Sequence, residues 1–183
     1  MNTWQRNRFW RLVIWFFLII IIFGCSTPPK TVDRSASGPQ VIVTPEFLRL
    51  GVAKLMGTKI VFEGAGFKPG DSVFITLIGP NQIKAIVAEG PIRPDGTFKA
   101  EVSKLTKAME ILRADIGFDE KFRDFIIITQ PPIPEGVYTV KVTSMLSTLT
   151  AETKLTVAGP SIIDRLKDWI GKVTGKIKHK KAK

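Results

Sequence analysis

Gly64-Ala65-Gly66-Phe67-Lys68-Pro69-Gly70-Asp71 closes one apolar run and opens the next, Val73-Phe74-Ile75-Thr76-Leu77. The two leading glycines permit positive φ or a bulge, Phe67 offers a plug for a core, and Pro69-Gly70 suits a type II turn. A strand, a tight turn and another strand are the natural reading. On either side, short runs rich in Val, Ile, Thr and Phe alternate in period two between Gly/Pro turns, which predicts strands near 41–45, 58–63, 72–79, 84–90, 97–103, 125–129, 137–144 and 149–157. Val73, Ile75 and Leu77 share one strand face, as do Phe98, Ala100 and Val102, and Tyr138, Val140 and Val142. Two further turns, Pro94-Asp95-Gly96 and Pro134-Glu135-Gly136, introduce Thr97-Phe98 and Val137-Tyr138.

This trio of turns resembles the immunoglobulin-like domains of exported bacterial proteins, whose pattern runs GxGFxPG(D/E)xV, then DGxF, then PxGxYxV. The resemblance covers residues 41–158. It implies a mainly β chain, a single Ig-like antiparallel sandwich, with Tyr138 at a tyrosine corner and Val140 where antibody domains place a cysteine. Cys25 is the sole cysteine, so cohesion rests on apolar packing without an inter-sheet disulfide. About 118 residues suffice for one sandwich and hardly for two.

Residues 103–124 interrupt the strand pattern. Leu105, Ala108, Met109, Leu112 and Ile116 recur at three or four and predict a helical insertion with one apolar face, opposite Lys104, Lys107, Glu110 and Arg113. Such a helix either caps an open end of the sandwich, completed by Phe118, Phe122 and Phe125, or serves as a partner-binding insertion displaying Phe118 and Phe122.

Residues 159–183 form the second strong signal. Ser161 is placed to cap a helix, and Ile162, Ile163, Leu166, Trp169, Ile170, Val173 and Ile177 fall on one stripe, with Arg165 and lysines including Lys172 and Lys176 elsewhere. Gly171 and Gly175 weaken this C-terminal amphipathic helix by roughly 1 kcal/mol each relative to alanine. Its stripe therefore needs a cover: the chain's own domain, another protein, or a bilayer at whose interface a basic helix with a tryptophan is at home.

At the other end, Arg6, Arg8 and Arg11 precede an uninterrupted apolar run from Leu12 to Phe23, which suits a signal peptide and falls short of the roughly 20 residues of a membrane span. Ile22-Phe23-Gly24-Cys25 resembles the lipobox of bacterial lipoproteins. That resemblance implies a signal peptide over residues 1–24, lipidation of Cys25, and, because Ser26 follows instead of aspartate, carriage to the outer membrane of a diderm bacterium. An uncleaved inner-membrane signal anchor is the competing reading. Ser26 to Gln40, rich in Ser, Thr, Pro and Gly, reads as a tether, giving a lipidated segment over residues 25–40.

The net charge of +11 divides unevenly: +3 in residues 1–24, +2 in residues 25–160 and +6 in residues 161–183. Basicity belongs to the tail, which argues against a nucleic-acid-binding face on the folded body. The single histidine, His179, lies among those lysines, so no histidine-based triad or thiol pair can be assembled. Asp115, Asp119, Glu120 and Asp124 alternate with Arg113, Lys121 and Arg123, and read as a solvated mixed-charge surface rather than a glycosidase pair or calcium loop. No cofactor or metal is expected. The function implied is a non-enzymatic envelope lipoprotein, with the membrane and an envelope protein as partners. An accessory domain for glycan or peptidoglycan is the alternative, and a hydrolase using only carboxylates is weaker still.

Overall fold

The computed structural model describes residues 31–32, 38–121 and 123–180. Cys25, the leader and Phe122 lie outside the described residues, as does most of the tether. The described chain is mainly β, with eleven strands in three sheets. In chain order the elements are β1 (Gln40–Thr44), β2 (Phe47–Arg49), α1 (Val52–Gly57), β3 (Val61–Ala65), β4 (Ser72–Ile78), β5 (Lys84–Pro91) and β6 (Phe98–Glu101). There follow α2 (Lys104–Thr106), β7 (Ala114–Phe118), β8 (Asp124–Ile128), β9 (Gly136–Ser144), β10 (Thr150–Ala158), α3 (Ile162–Val173) and β11 (Ile177–His179).

The first sheet runs β1-β3-β6, the second β2-β10-β9-β4-β5, and the third β11-β8-β7. Period-two alternation places the core. Val73, Ile75 and Leu77 of β4 and Tyr138, Val140 and Val142 of β9 are buried, and so are Phe62, Phe98 and Ala100 from the first sheet, in one continuous apolar cluster. Phe67 does plug that core, meeting the Phe98 ring edge-on with centroids 5.3 Å apart. All of the clustered residues fall between Val41 and Ile177.

The turn that opens the pattern is fixed by two residues. Gly70 has φ of +79°, the left-handed geometry that the third position of a type II turn demands. Asp71, buried beside it, accepts from the amides of Ser72 (2.6 Å), Leu146 (3.1 Å) and Ser147 (2.9 Å) and from the Ser147 hydroxyl (2.8 Å). It thereby ties the start of β4 to the β9–β10 connection. Burial acts to raise its pKa, but these donors outweigh burial and bring the value down to about 2.

The insertion differs from its expected form. Ser103 caps α2 by accepting from the Thr106 amide at 3.0 Å, but the helix soon widens: the Leu112 amide donates to the Lys107 carbonyl five residues back. This π-turn, Lys107–Ile111, rotates the face, so Ala108, Ile111 and Leu112 are buried whereas Leu105 and Met109 are exposed. The chain then turns into β7, and Ile116, expected on the helix, pairs with Ile126 of β8 in an antiparallel hairpin. The β-branched run Ile126-Ile127-Ile128 offers that hairpin partner, and pairing across the sheet prevails over the three-four spacing. Lys107 reaches back from the π-turn, its ammonium donating to the carbonyls of Met56 (3.0 Å) and Thr58 (2.9 Å) at the end of α1. Burial pushes its pKa down, while the Glu101 charge opposes that effect.

Candidate functional site

α3 begins with a reciprocal cap. Ser161 Oγ accepts from the Asp164 amide at 3.2 Å, and Asp164 Oδ2 accepts from the Ser161 amide at 2.9 Å and its hydroxyl at 2.6 Å. Those Ser161 bonds hold the Asp164 pKa down against its burial, helped by the charges of Arg49 and Lys167. One turn later, Asp168 accepts from the amides of Val52 and Ala53, each at 2.9 Å. These are the orphan donors of α1, whose own N-cap, Gly51, supplies no side-chain acceptor. The two helices thus meet through a carboxylate and two backbone amides.

The same face is kept lean elsewhere. A side chain at Gly51 would begin 2.6 Å from the Asp164 Cβ, and one at Gly171 would begin 2.6 Å from Ile177 Cδ1. Asp164 and Gly171 are buried. Polar and small residues therefore face the body, and the apolar stripe faces away. Ile162, Ile163, Leu166, Trp169, Ile170 and Val173 are all exposed, from 49% at Ile170 to 86% at Ile162. At 3.6 residues per turn they cover an arc of roughly 120°. Arg165 and Lys172 flank one side of the arc and Lys167 the other, and all three are exposed. Both acids of the helix are turned inward and consumed by hydrogen bonds, leaving its outer surface apolar at the centre and cationic at the margins.

Docking of the stripe on the chain's own domain, one of the covers considered from the sequence, does not occur; the helix docks by its opposite face. Ile177 also leaves the stripe. Gly175, at φ of +76°, ends the helix, and Ile177 enters β11, buried and paired in parallel with Ile126. Lys178 then lies over the Phe125 ring, 3.7 Å from its centroid. Lys172 and Lys176 are exposed as expected.

The remaining candidates separate. Phe118 ends β7 at the tip of the β7–β8 hairpin, two-thirds exposed, so it does not complete the apolar cap that the sequence allowed. In that hairpin Asp119 Oδ1 accepts from the amides of Lys121 (2.9 Å) and Arg123 (2.8 Å), and Oδ2 binds the Arg123 guanidinium at 2.7 Å. The Arg123 amide leads, against burial, in lowering its pKa. Among the described residues no group of three His, Cys, Asp or Glu side chains is placed to hold a metal ion, and no helix is long and apolar enough to cross a membrane. Sequence reasoning missed the Asp168 contact. An aspartate on a basic amphipathic helix looks like ordinary solvated charge until its partner, more than a hundred residues earlier, is brought alongside.

No family model and no curated protein matches the chain. Among solved structures it is similar to macromomycin, at 14% sequence identity and a TM-score of 0.41, over 66% of this chain and all of that one.

Proposed function

We propose that this protein is a non-enzymatic module of a bacterial envelope, held at a membrane by an acylated Cys25 and by the outward stripe of α3. Its Ig-like body binds or spaces another envelope component. One observation carries the membrane reading: α3 packs on its own domain through Asp164, Asp168 and Gly171, and offers Ile163, Leu166, Trp169 and Val173 to the surroundings. A helix that turns its acids inward and surrounds an apolar arc with cations suits an anionic bilayer surface. There, acyl-chain contact and about 1 kcal/mol per lysine add together.

Two features support an Ig-like sandwich for the body. The second sheet sets β10-β9-β4-β5 side by side and the first sets β1-β3-β6, as the G, F, C, C′ and A, B, E strands of that fold are arranged. The Tyr138 hydroxyl, near the start of β9, donates to the Pro134 carbonyl at 2.8 Å, the bond of a tyrosine corner. Phe118 and the exposed Leu146 mark places where a protein partner could seat. The test uses residues 26–183, which contain the entire described core, with phosphatidylglycerol vesicles. Salt-sensitive sedimentation that is lost in Leu166→Glu/Trp169→Glu is expected. Failure of the unsubstituted chain to sediment at low salt refutes membrane contact by α3.

A further inference from the structure

Beside α3 the surface opens into a groove of about 530 Å3, within the 300–1,000 Å3 common for small-molecule sites. α1 forms one bank, α3 the other, and β8 and β11 lie beneath. Met56, Phe125, Ile126, Ile170 and Ile177 give it an apolar lining. Its charged groups are Lys104, Lys167, Lys176 and Asp124, a cationic excess. The three lysines come from separate parts of the chain: α2, α3 and the turn before β11. All three are exposed, and none forms an ion pair with a described residue.

We propose that this groove takes one acyl chain of an anionic lipid, drawn from the bilayer on which α3 rests, with the head group held by Lys104, Lys167 and Lys176. The proposal rests on the reading of α3 as a membrane contact. Charge complementarity selects the occupant. An apolar trough edged by three cations that form no ion pair with a described residue matches a molecule with an apolar tail and a negative head, and a zwitterionic lipid offers those lysines no net charge. Ile170 belongs both to the groove and to the outward stripe, so the trough is continuous with the surface that meets the acyl region. Gly57 is an exposed lining residue of the groove, and a Cβ added there would meet nothing within 4 Å, so the position accepts a larger side chain without a clash.

The experiment uses the full chain in phosphatidylcholine proteoliposomes doped with phosphatidylglycerol that carries a diazirine near the end of one acyl chain. After photolysis, adducts are assigned by mass spectrometry. Met56 and Ile126 report the groove, whereas Ile163 and Leu166 report the stripe and lie on different proteolytic peptides. Expected are adducts at both. The groove adducts fall at least about tenfold in Lys104→Glu/Lys167→Glu/Lys176→Glu, since each lysine near an anionic lipid is worth about fivefold. They also fall in Gly57→Trp, which fills the trough from an exposed position and leaves the stripe adducts in place. Adducts on the stripe alone overturn the groove and leave the membrane contact standing; adducts on neither overturn both. Equal groove labelling from diazirine-bearing phosphatidylcholine, or labelling unchanged by Gly57→Trp, also overturns the proposal.

Discussion

Truncating the outward stripe of α3 should leave the fold nearly as stable as before, whereas removing one inward aspartate should not. For an ordinary amphipathic helix the expectation is reversed. Ile162, Ile163 and Leu166 each keep more than half of their surface in water. Full burial of such a side chain contributes about 1.5–3 kcal/mol, so less than half of that is in play, and alanine retains part of it. Alanine also returns a few tenths of a kcal/mol of helix propensity at each isoleucine. The triple variant Ile162→Ala/Ile163→Ala/Leu166→Ala is therefore expected within about 1 kcal/mol of the parent. Were the stripe core, each truncation would cost about 2–5 kcal/mol and the triple would scarcely fold. Asp168→Ala instead strips two backbone amides of α1 of acceptors at 2.9 Å, at a cost of about 1–2 kcal/mol by analogy with helix caps. With a urea m-value of about 2 kcal/mol/M, that lowers the midpoint by about 0.5–1 M. Pulse proteolysis across a urea series on residues 26–183 measures both variants. A loss above about 3 kcal/mol in the triple variant, or none in Asp168→Ala, would refute the inverted docking.

Acid should unfold the protein through Asp71: its folded pKa of about 2 lies below the ordinary 3.8, so the stability it contributes is present above pH 4 and lost as pH falls toward 2. Asp71→Asn is expected to lower the neutral-pH urea midpoint and flatten that acid limb; an unchanged limb means other groups carry it. Tyr138→Phe loses the bond to Pro134 in a buried corner and should cost about 1 kcal/mol by the same assay. Cys25→Ser should leave the precursor uncleaved and without acyl groups; if mass spectrometry of the native chain from a bacterial envelope finds Cys25 unmodified, lipid anchorage is wrong.

What could be read from the sequence were local patterns, and what could not were partnerships. The alternation of Val73, Ile75 and Leu77 and of Tyr138, Val140 and Val142 identified the faces that are buried. Pro69-Gly70 announced its turn. β2 is three residues long and finds its place by parallel pairing with β10, more than a hundred residues away. α1 carries no side-chain cap of its own, so nothing near Gly51 signals a helix start; the cap arrives from Asp168. β7 shows why spacing alone misleads: Ile116 continues the three-four rhythm of α2, yet the π-turn at Lys107 breaks the phase, and the isoleucine run of β8 captures the segment as a strand. In the tail the stripe was legible residue by residue. Which face would meet the body was not. Gly171 and Gly175, which read as weak points of a helix, are the sites where Ile177 packs close and where the helix stops.

The splicing of α3 between two sheets has a mechanical consequence. Three residues separate it from β10 in the second sheet, and three more separate it from β11 in the third. Restrained at both ends and pinned to α1 at its middle, the helix cannot swivel like an appendage on a linker. Whatever surface the stripe adheres to therefore sets the tilt of the whole described body, and turning that surface turns the β9–β10 loop and the β7–β8 hairpin with it. On the proposed anchorage through Cys25, reach and aim are governed by different parts of the chain: the length of sequence between Cys25 and β1 limits how far the body travels, while α3 decides which way it points.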